Sequence, residues 1–235
     1  MFLKKIPIVY SFGLKIKHYY LSRKTNTQIE HYLQSADIKK IQLGAGQNNL
    51  SGWLNTDYFP RNGIYFLDVT KKLPIPSDSF NFIFSEHHIE HIHYKDAKLM
   101  ISEIYRILKP GGVFRVCTPN LTAYLKSYFE DSPIETPYIK EIINDWIKLG
   151  FYNAKNYIPE NNEENVSFFV NDIFLNYDHK FIYDYKTLAA LLTNAGFTKI
   201  VQTNATESEF EELNNIEAHK GLSKPYTLAI EATRE

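Results

Sequence analysis

The stretch from Phe80 to Thr118 limits the possible folds more than any other part of the chain. Phe80-Asn-Phe-Ile-Phe84 is short, apolar and aromatic, which is the make-up of a buried strand. From Tyr94 to Leu108 the residues Ala97, Ile101, Ile104 and Leu108 recur at i, i+4, i+7 and i+11, one face of a 3.6-residue period. Lys109-Pro110-Gly111-Gly112 then ends the helix, with Pro and Gly just past its last turn. Val113-Phe-Arg-Val-Cys-Thr118 reads as a second strand, closed by Pro119. Strand, amphipathic helix and strand in succession form a parallel crossover, so the chain is read as an α/β protein.

The rest of the sequence extends that pattern. Lys40-Ile-Gln-Leu-Gly44 is a short strand running into a glycine loop, and Trp53-Leu-Asn-Thr-Asp57 and Ile64-Tyr-Phe-Leu-Asp-Val69 are two more strands, each finishing near an aspartate. Two prolines keep Leu73-Pro-Ile-Pro-Ser-Asp-Ser79 out of a helix interior or central strand, so it is a connector. Thr25 to Ser35 suits a short helix through Ile29, Tyr32 and Leu33. Asp184 to Asn194 is a helix closed by Ala195-Gly196, and Phe197–Thr203 and Tyr226–Thr233 are the last strands. Glu207 to Lys224, between them, reads as loop or surface helix. The less regular segment of about 121–178, with a helical patch at Ile139–Leu149 and a polar stretch at Glu160–Asn165, is expected to be an inserted substrate cap. The division expected is a basic, helical extension over 1–38 and one domain over 39–235. In an open sheet of this kind the ligand site lies at the carboxyl edge of the strands.

Composition removes several classes. With 26 Lys+Arg against 27 Asp+Glu and a formal net charge of -1, the chain lacks the basic excess that grips a phosphate backbone, so no nucleic-acid partner is expected. Cys117 is the only cysteine, which excludes an internal disulfide framework and any multi-cysteine metal site, and suits the reducing cytoplasm. At the N-terminus Pro7, Gly13 and Lys15 interrupt the apolar run, against a signal-peptide reading. The basic lead (Lys4, Lys5, Lys15, Lys17, Arg23, Lys24) supports at most a weak peripheral membrane contact.

Three features converge at the carboxyl edge. Leu43-Gly44-Ala45-Gly46 offers glycines that let a ligand approach the backbone. Asp57 can accept hydrogen bonds from a ribose diol, and Asp68 is placed to reach an exocyclic amine such as that of adenine. Each aspartate has an alternative reading as a turn or helix cap.

Taken in order, Leu-Gly-Ala-Gly46, Asp57, Asp68-Val-Thr70, Leu73-Pro-Ile-Pro-Ser-Asp-Ser-Phe80, Glu86-His-His-Ile-Glu-His91 and Glu103-Ile-Tyr-Arg-Ile-Leu-Lys-Pro-Gly-Gly112 resemble the class I S-adenosylmethionine-dependent methyltransferases. The similarity is to their small-molecule branch, with its pattern "LPFPDNSFD … SHVLEH … EIYRVLKPGG", and it covers roughly 40–120 and 178–233. It implies a Rossmann-like seven-stranded mixed sheet with an antiparallel last strand and helices on both faces. It implies S-adenosylmethionine as cofactor, with Gly44, Ala45 and Gly46 along its methionine part, Asp57 on the ribose, Asp68 and Val69 at the adenine, and Ser85 and Glu86 beside the sulfonium. It implies methyl transfer to a small-molecule acceptor, with a sugar or glycoconjugate hydroxyl or amine as the class suggested. His87 and His91 are the candidate proton acceptors, and His179 and Tyr183 the candidate substrate contacts. A non-catalytic binding module and a nucleotide-sugar or NAD enzyme are the alternatives.

One departure from that family is plain: only Gln47 to Gly52 separate Gly46 from Trp53, too few for a crossover helix. The Thr25–Ser35 helix is therefore expected to cover the sheet face left bare. His87, His88, His91 and His93 lie close enough to raise a metal site, and His87 and His91 share helical i, i+4 spacing, but no third ligand is visible in the sequence, so no metal is expected. His88 and His93 are read as surface or packing residues.

Overall fold

The computed structural model describes residues 8–130, 166–175, 177–218 and 224–235, with backbone only over 8–19 and at 130, 166, 168, 169, 172 and 224. Its seven strands are β1 (Lys40–Leu43), β2 (Leu54–Asp57), β3 (Tyr65–Phe66), β4 (Phe80–Glu86), β5 (Leu108–Pro119), β6 (Lys199–Thr203) and β7 (Thr227–Thr233). They form one sheet in the order β3-β2-β1-β4-β5-β7-β6. β1 to β5 are parallel, and β7 runs antiparallel to both of its neighbours. The helices among the described residues are α1 (Ile8–Ser35), α2 (Tyr94–Ile107), α3 (Leu121–Glu130), α4 (Val166–Leu175) and α5 (Tyr185–Ala195). No described helix is long and apolar enough to cross a membrane. α3 and α4 pack on each other and are the described part of the expected cap; the Ile139–Leu149 and Glu160–Asn165 readings lie outside the described residues.

Local chemistry explains the element ends. Asp184 caps α5 by accepting from Thr187 N at 2.8 Å, and Gly196 closes it at φ 113°. The third strand is shorter than expected and stops at Phe66, so Asp68 sits in the loop that follows. The connector Leu73–Ser79 is fixed by α2. Glu103 accepts two hydrogen bonds from Arg106 (2.8 and 2.6 Å) and one from Leu73 N (2.7 Å), while Arg106 also donates to Leu73 O and Ile75 O. The Glu103-Ile-Tyr-Arg106 motif therefore braces the proline-containing connector.

The two faces of the sheet are covered unequally. Side chains alternate along a strand, and Ile41, Leu43, Leu54, Ile83, Phe114 and Val116 pack with Ile29 of α1, Ile101 and Ile104 of α2, and Leu188 and Leu192 of α5. The alternate positions Phe82, Phe84, Val113, Cys117 and Ala229 meet Leu50, Trp53, Phe210, Leu213 and Ile216 instead. β4 to β5 steps one way across the sheet with α2 over the first face. β1 to β2 steps the other way, so a right-handed crossover helix there would lie on the second face. The short 47–53 connection leaves that second face without one.

The expected cover is corrected here: α1 lies on the opposite face, with its Tyr32 ring stacked on Phe80 at 6.3 Å. Tyr32 Oη also donates to Gly52 O at 2.8 Å and accepts from Lys40 N at 3.0 Å. The β6–β7 connection covers the second face. The reason is the charge buried there. Arg115, fully buried, donates to Glu217 (2.7 Å) and Glu231 (2.6 Å), to Thr203 Oγ1, and to the backbone carbonyls of Asn204 and Glu207. A helix spends its carbonyls on its own ladder, whereas irregular chain can turn them onto a guanidinium.

Candidate active site

The parallel strands end at a cleft of about 450 Å³, lined by Gly44, Gly46, Asp57, Tyr58, Phe59, Arg61, Asp68, Val69, His87, His88, His91 and Asp178, among others. It lies where an open α/β sheet places its ligand, and its volume falls within the range of small-molecule and cofactor sites. β1 delivers the glycine loop, β2 delivers Asp57, and the chain leaving β4 delivers His87 and His88 directly and His91 from the turn Ile89–His91.

The glycine loop has two different halves. Gly46, at φ +57°, faces open space: an added Cβ would meet nothing within 4 Å. Gly44, at φ +69°, is covered by the His88 ring, whose Cγ lies 2.2 Å from where a Cβ would be. His88 Nδ1 stands 3.3 Å from Ser85 Oγ. Burial pushes the His88 imidazole below its ordinary value, against the opposing charges of Asp57 and Glu90. Asp57 holds the loop from the other side: Oδ2 accepts from Gly46 N at 2.8 Å and Oδ1 from Phe59 N at 2.7 Å. Asp68 caps its own turn through Thr70 N (3.0 Å) and Thr70 Oγ1 (2.6 Å), the alternative raised from sequence, while still lining the cleft.

Behind the cleft sits an ordered acid–imidazole pair. His87, at φ 44°, has Nδ1 3.1 Å from Glu90 Oε1, and Glu90 Oε2 accepts from Thr118 Oγ1 at 3.0 Å. Burial alone would lower the His87 pKa, but the Glu90 hydrogen bond and the charges of Glu90 and Glu86 outweigh it and raise it. Burial would raise Glu90, yet its bond to His87 and the charges of His87 and His91 bring its carboxyl down to about 2.

The structure thus gathers Gly44, Gly46, Asp57, Asp68, Val69, His87 and His91 around one cleft. Five expected residues stand outside its lining. Ala45 is buried, with its N–H on Thr56 O. Ser85 is buried beneath His88, and Glu86 turns to the second face, where Oε2 accepts from Ala218 N at 2.8 Å. Tyr183 is a correction: it is wholly buried in the core against Phe181, because Asn120 and Tyr183 bridge β5's end to α5's start. His179 is beside the cleft rather than in its lining, its ring 4.9 Å from that of His91. Sequence reasoning gave Glu90 no role of its own and read His88 as a surface or packing residue, whereas its ring packs over Gly44 and also lines the cleft. Both lay inside the quoted motif, but only strand-end geometry tells which of several adjacent polar residues turns inward.

Parts of the chain are similar to known proteins. Residues 55–116 match a family model described as "Methyltransferase domain". A curated protein of Mycolicibacterium smegmatis, named "Probable S-adenosylmethionine-dependent methyltransferase", is 35% identical over 71 residues, covering 30% of this chain and 26% of that protein. The match therefore spans about a quarter of the length of that relative. Among solved structures, an S-adenosylmethionine-dependent methyltransferase of Archaeoglobus fulgidus is 14% identical at a TM-score of 0.48, over 97% of this chain and 100% of that one. Another, of Mesorhizobium loti, is 17% identical at a TM-score of 0.46, over 85% and 92%. The strand order makes an open, Rossmann-like α/β sheet with its cleft at the carboxyl edge, and within it residues 55–116 are similar to a methyltransferase domain.

Proposed function

We propose that this chain is an enzyme that transfers a methyl group from S-adenosylmethionine to the hydroxyl or amine of a small-molecule acceptor, sugars and glycoconjugates being the class favoured, in the cytoplasm. The observation that carries the reading is the convergence of Gly46, Asp57, Asp68, Val69 and His87 on one cleft. The residues suit the cofactor: open space stands over Gly46, and carboxylates end β2 and follow β3. Gly44 and Gly46 would flank the methionine part, Asp57 would hold the ribose, and Asp68 with Val69 the adenine.

When bound, the cofactor supplies a sulfonium methyl for one-step in-line displacement, so positioning provides much of the rate. His87 takes the acceptor's proton. Its Nδ1 is engaged by Glu90, which fixes the orientation of the ring. Glu90 is a positioning residue, held in turn by Thr118.

Calorimetric titration with S-adenosylmethionine and S-adenosylhomocysteine, on wild type and Asp57→Ala, tests the cofactor. Micromolar binding that the variant loses is the expected result, followed by methyl turnover on a panel of hydroxyl and amine acceptors that His87→Ala abolishes. One observation favours a second reading, a non-catalytic binding module: the His88 ring occupies the space over Gly44. Cofactor binding without turnover on any acceptor would support that reading, and absence of cofactor binding by the folded chain would reject the first.

A further inference from the structure

The sequence offered His87 and His91 as a metal pair without a third ligand. The structure supplies a different set. Glu90, His91 and His179 each present one ligand atom, and these atoms lie within 4.8 Å of one another. We propose that Glu90, His91 and His179 form a binding site for a divalent first-row metal ion such as Zn²⁺ at the edge of the cleft.

Three observations support it beyond proximity. First, the strands of chain that carry the ligands are clamped together: Lys180 N and Phe181 N both donate to Glu90 O, at 2.6 and 3.1 Å. That clamp brings His179 to the turn Ile89–His91, with the His91 and His179 rings 4.9 Å apart and inclined at 58°. Second, His179 Nδ1 lies 2.6 Å from Ile173 O. A carbonyl can only accept, so Nδ1 carries the proton and Nε2 carries the lone pair. Donation of the second ring N–H to a backbone carbonyl is how metal-binding histidines are oriented. Third, Glu90 is buried, and its carboxylate is steered by Thr118 Oγ1 and His87 Nδ1 at 3.0 and 3.1 Å. A carboxylate has about four acceptor positions, so two such bonds leave room for a cation.

Two imidazoles and one carboxylate are a ligand set suited to first-row divalent ions and leave coordination positions open. Metal–ligand bonds of about 2.0–2.2 Å at tetrahedral angles bring ligand atoms to roughly 3.3–3.5 Å, so side-chain rotation closes the site from its present spacing. His91 and Asp178 line the cleft, so the open positions face the space in which a substrate oxygen or nitrogen would lie. The cation site stands on its own ligands and does not rest on the methyl-transfer reading.

The test uses the full chain, stripped with a chelator and titrated with Zn²⁺ against a chromophoric competitor, and separately with Co²⁺ followed by its visible absorption. One equivalent of Zn²⁺ per chain and visible Co²⁺ bands are expected. His179→Ala and His91→Ala should each weaken Zn²⁺ binding at least a hundredfold. Thr118→Val, which alters only the support of Glu90, should weaken it on the order of tenfold. His93→Ala, at an exposed histidine outside the set, should leave it unchanged. Circular dichroism checks each variant, and His179→Gln replaces His179→Ala if that fails to fold. Absence of stoichiometric binding by the wild type, or wild-type affinity in a folded His179 variant, overturns the site. Titration with S-adenosylhomocysteine in the same samples keeps the two readings apart, because a chain that binds metal but no nucleoside rejects only the first.

Discussion

The ring of His88 fills the volume that Gly44 leaves by having no side chain: a Cβ at Gly44 would stand 2.2 Å from His88 Cγ. The side-chain space of the first glycine is thus taken by the protein's own histidine, whereas that of Gly46 is open. Gly44→Ala meets two obstacles, the φ of +69° and the imidazole. The variant should be destabilised by about 2 kcal/mol or more. In a His88→Ala background the steric part disappears, so the double variant should lose less than the sum of the two single ones. Urea unfolding of the four proteins gives the coupling. Strict additivity would mean that the ring yields without cost.

Glu103 and Arg106 set an acid limit. The hydrogen bond from Arg106 is the foremost cause holding the Glu103 carboxyl below its usual value near 4.5, with burial pushing the other way. A group with a depressed folded pKa contributes stability that is complete above the unfolded value and lost as pH falls through the folded one. Arg106→Gln should therefore cost on the order of 1–2 kcal/mol at neutral pH, and the gap to wild type should narrow below about pH 4.5. Thermal unfolding from pH 7 to 3 reads it. A gap unchanged down to pH 3 would assign the brace to Arg106's backbone contacts alone.

α1 should be indispensable, although it covers the face opposite to the one the short loop leaves bare. Removal of the residues before Lys39 takes away Ile29, the Tyr32–Phe80 stack and the partner of Lys40 N. The truncated chain should fail to fold in soluble form. Tyr32→Phe, which removes only the two hydrogen bonds, should cost about 1–2 kcal/mol and stay folded. Soluble expression and urea midpoints distinguish the two outcomes.

Arg115 is the most costly single position we identify. Arg115→Met leaves Glu217 and Glu231 buried without their cation, a loss of about 3–5 kcal/mol. Converting both acids to glutamine in the same chain should recover a large part of it, since the uncompensated charge disappears. A triple variant no more stable than Arg115→Met would show that packing, rather than charge, carries the effect.

The strand and helix order was legible because each element is a local pattern: the α2 stripe, the Gly196 stop and the proline limits on 73–79 are written in adjacent residues. The set of residues around the cleft was partly legible for the same reason, since glycine loop and aspartates sit at strand ends. What could not be read was long-range. Tyr183 follows the segment that carries His179, yet one lies in the core and the other beside the cleft, a difference fixed by the bridge to Asn120. The cover of the second face is built around Arg115, whose partners Glu217 and Glu231 are far along the chain and carry no local pattern. Glu90 and His179 were separated in the same way.

The described residues of the segment that closes the second face have little regular structure, and ordinarily such a stretch would exchange its amide hydrogens quickly through local opening. Here Glu217 is anchored on Arg115 and the next residue, Ala218, donates its N–H to Glu86 at the end of β4. Lifting this segment strips the Arg115 guanidinium of Glu217 in the sheet's interior and releases the Glu86 carboxylate at the end of β4. Partial opening is thus penalised as heavily as separating the strands beneath, and the irregular cover and the central sheet form a single cooperative unit, slow to exchange together.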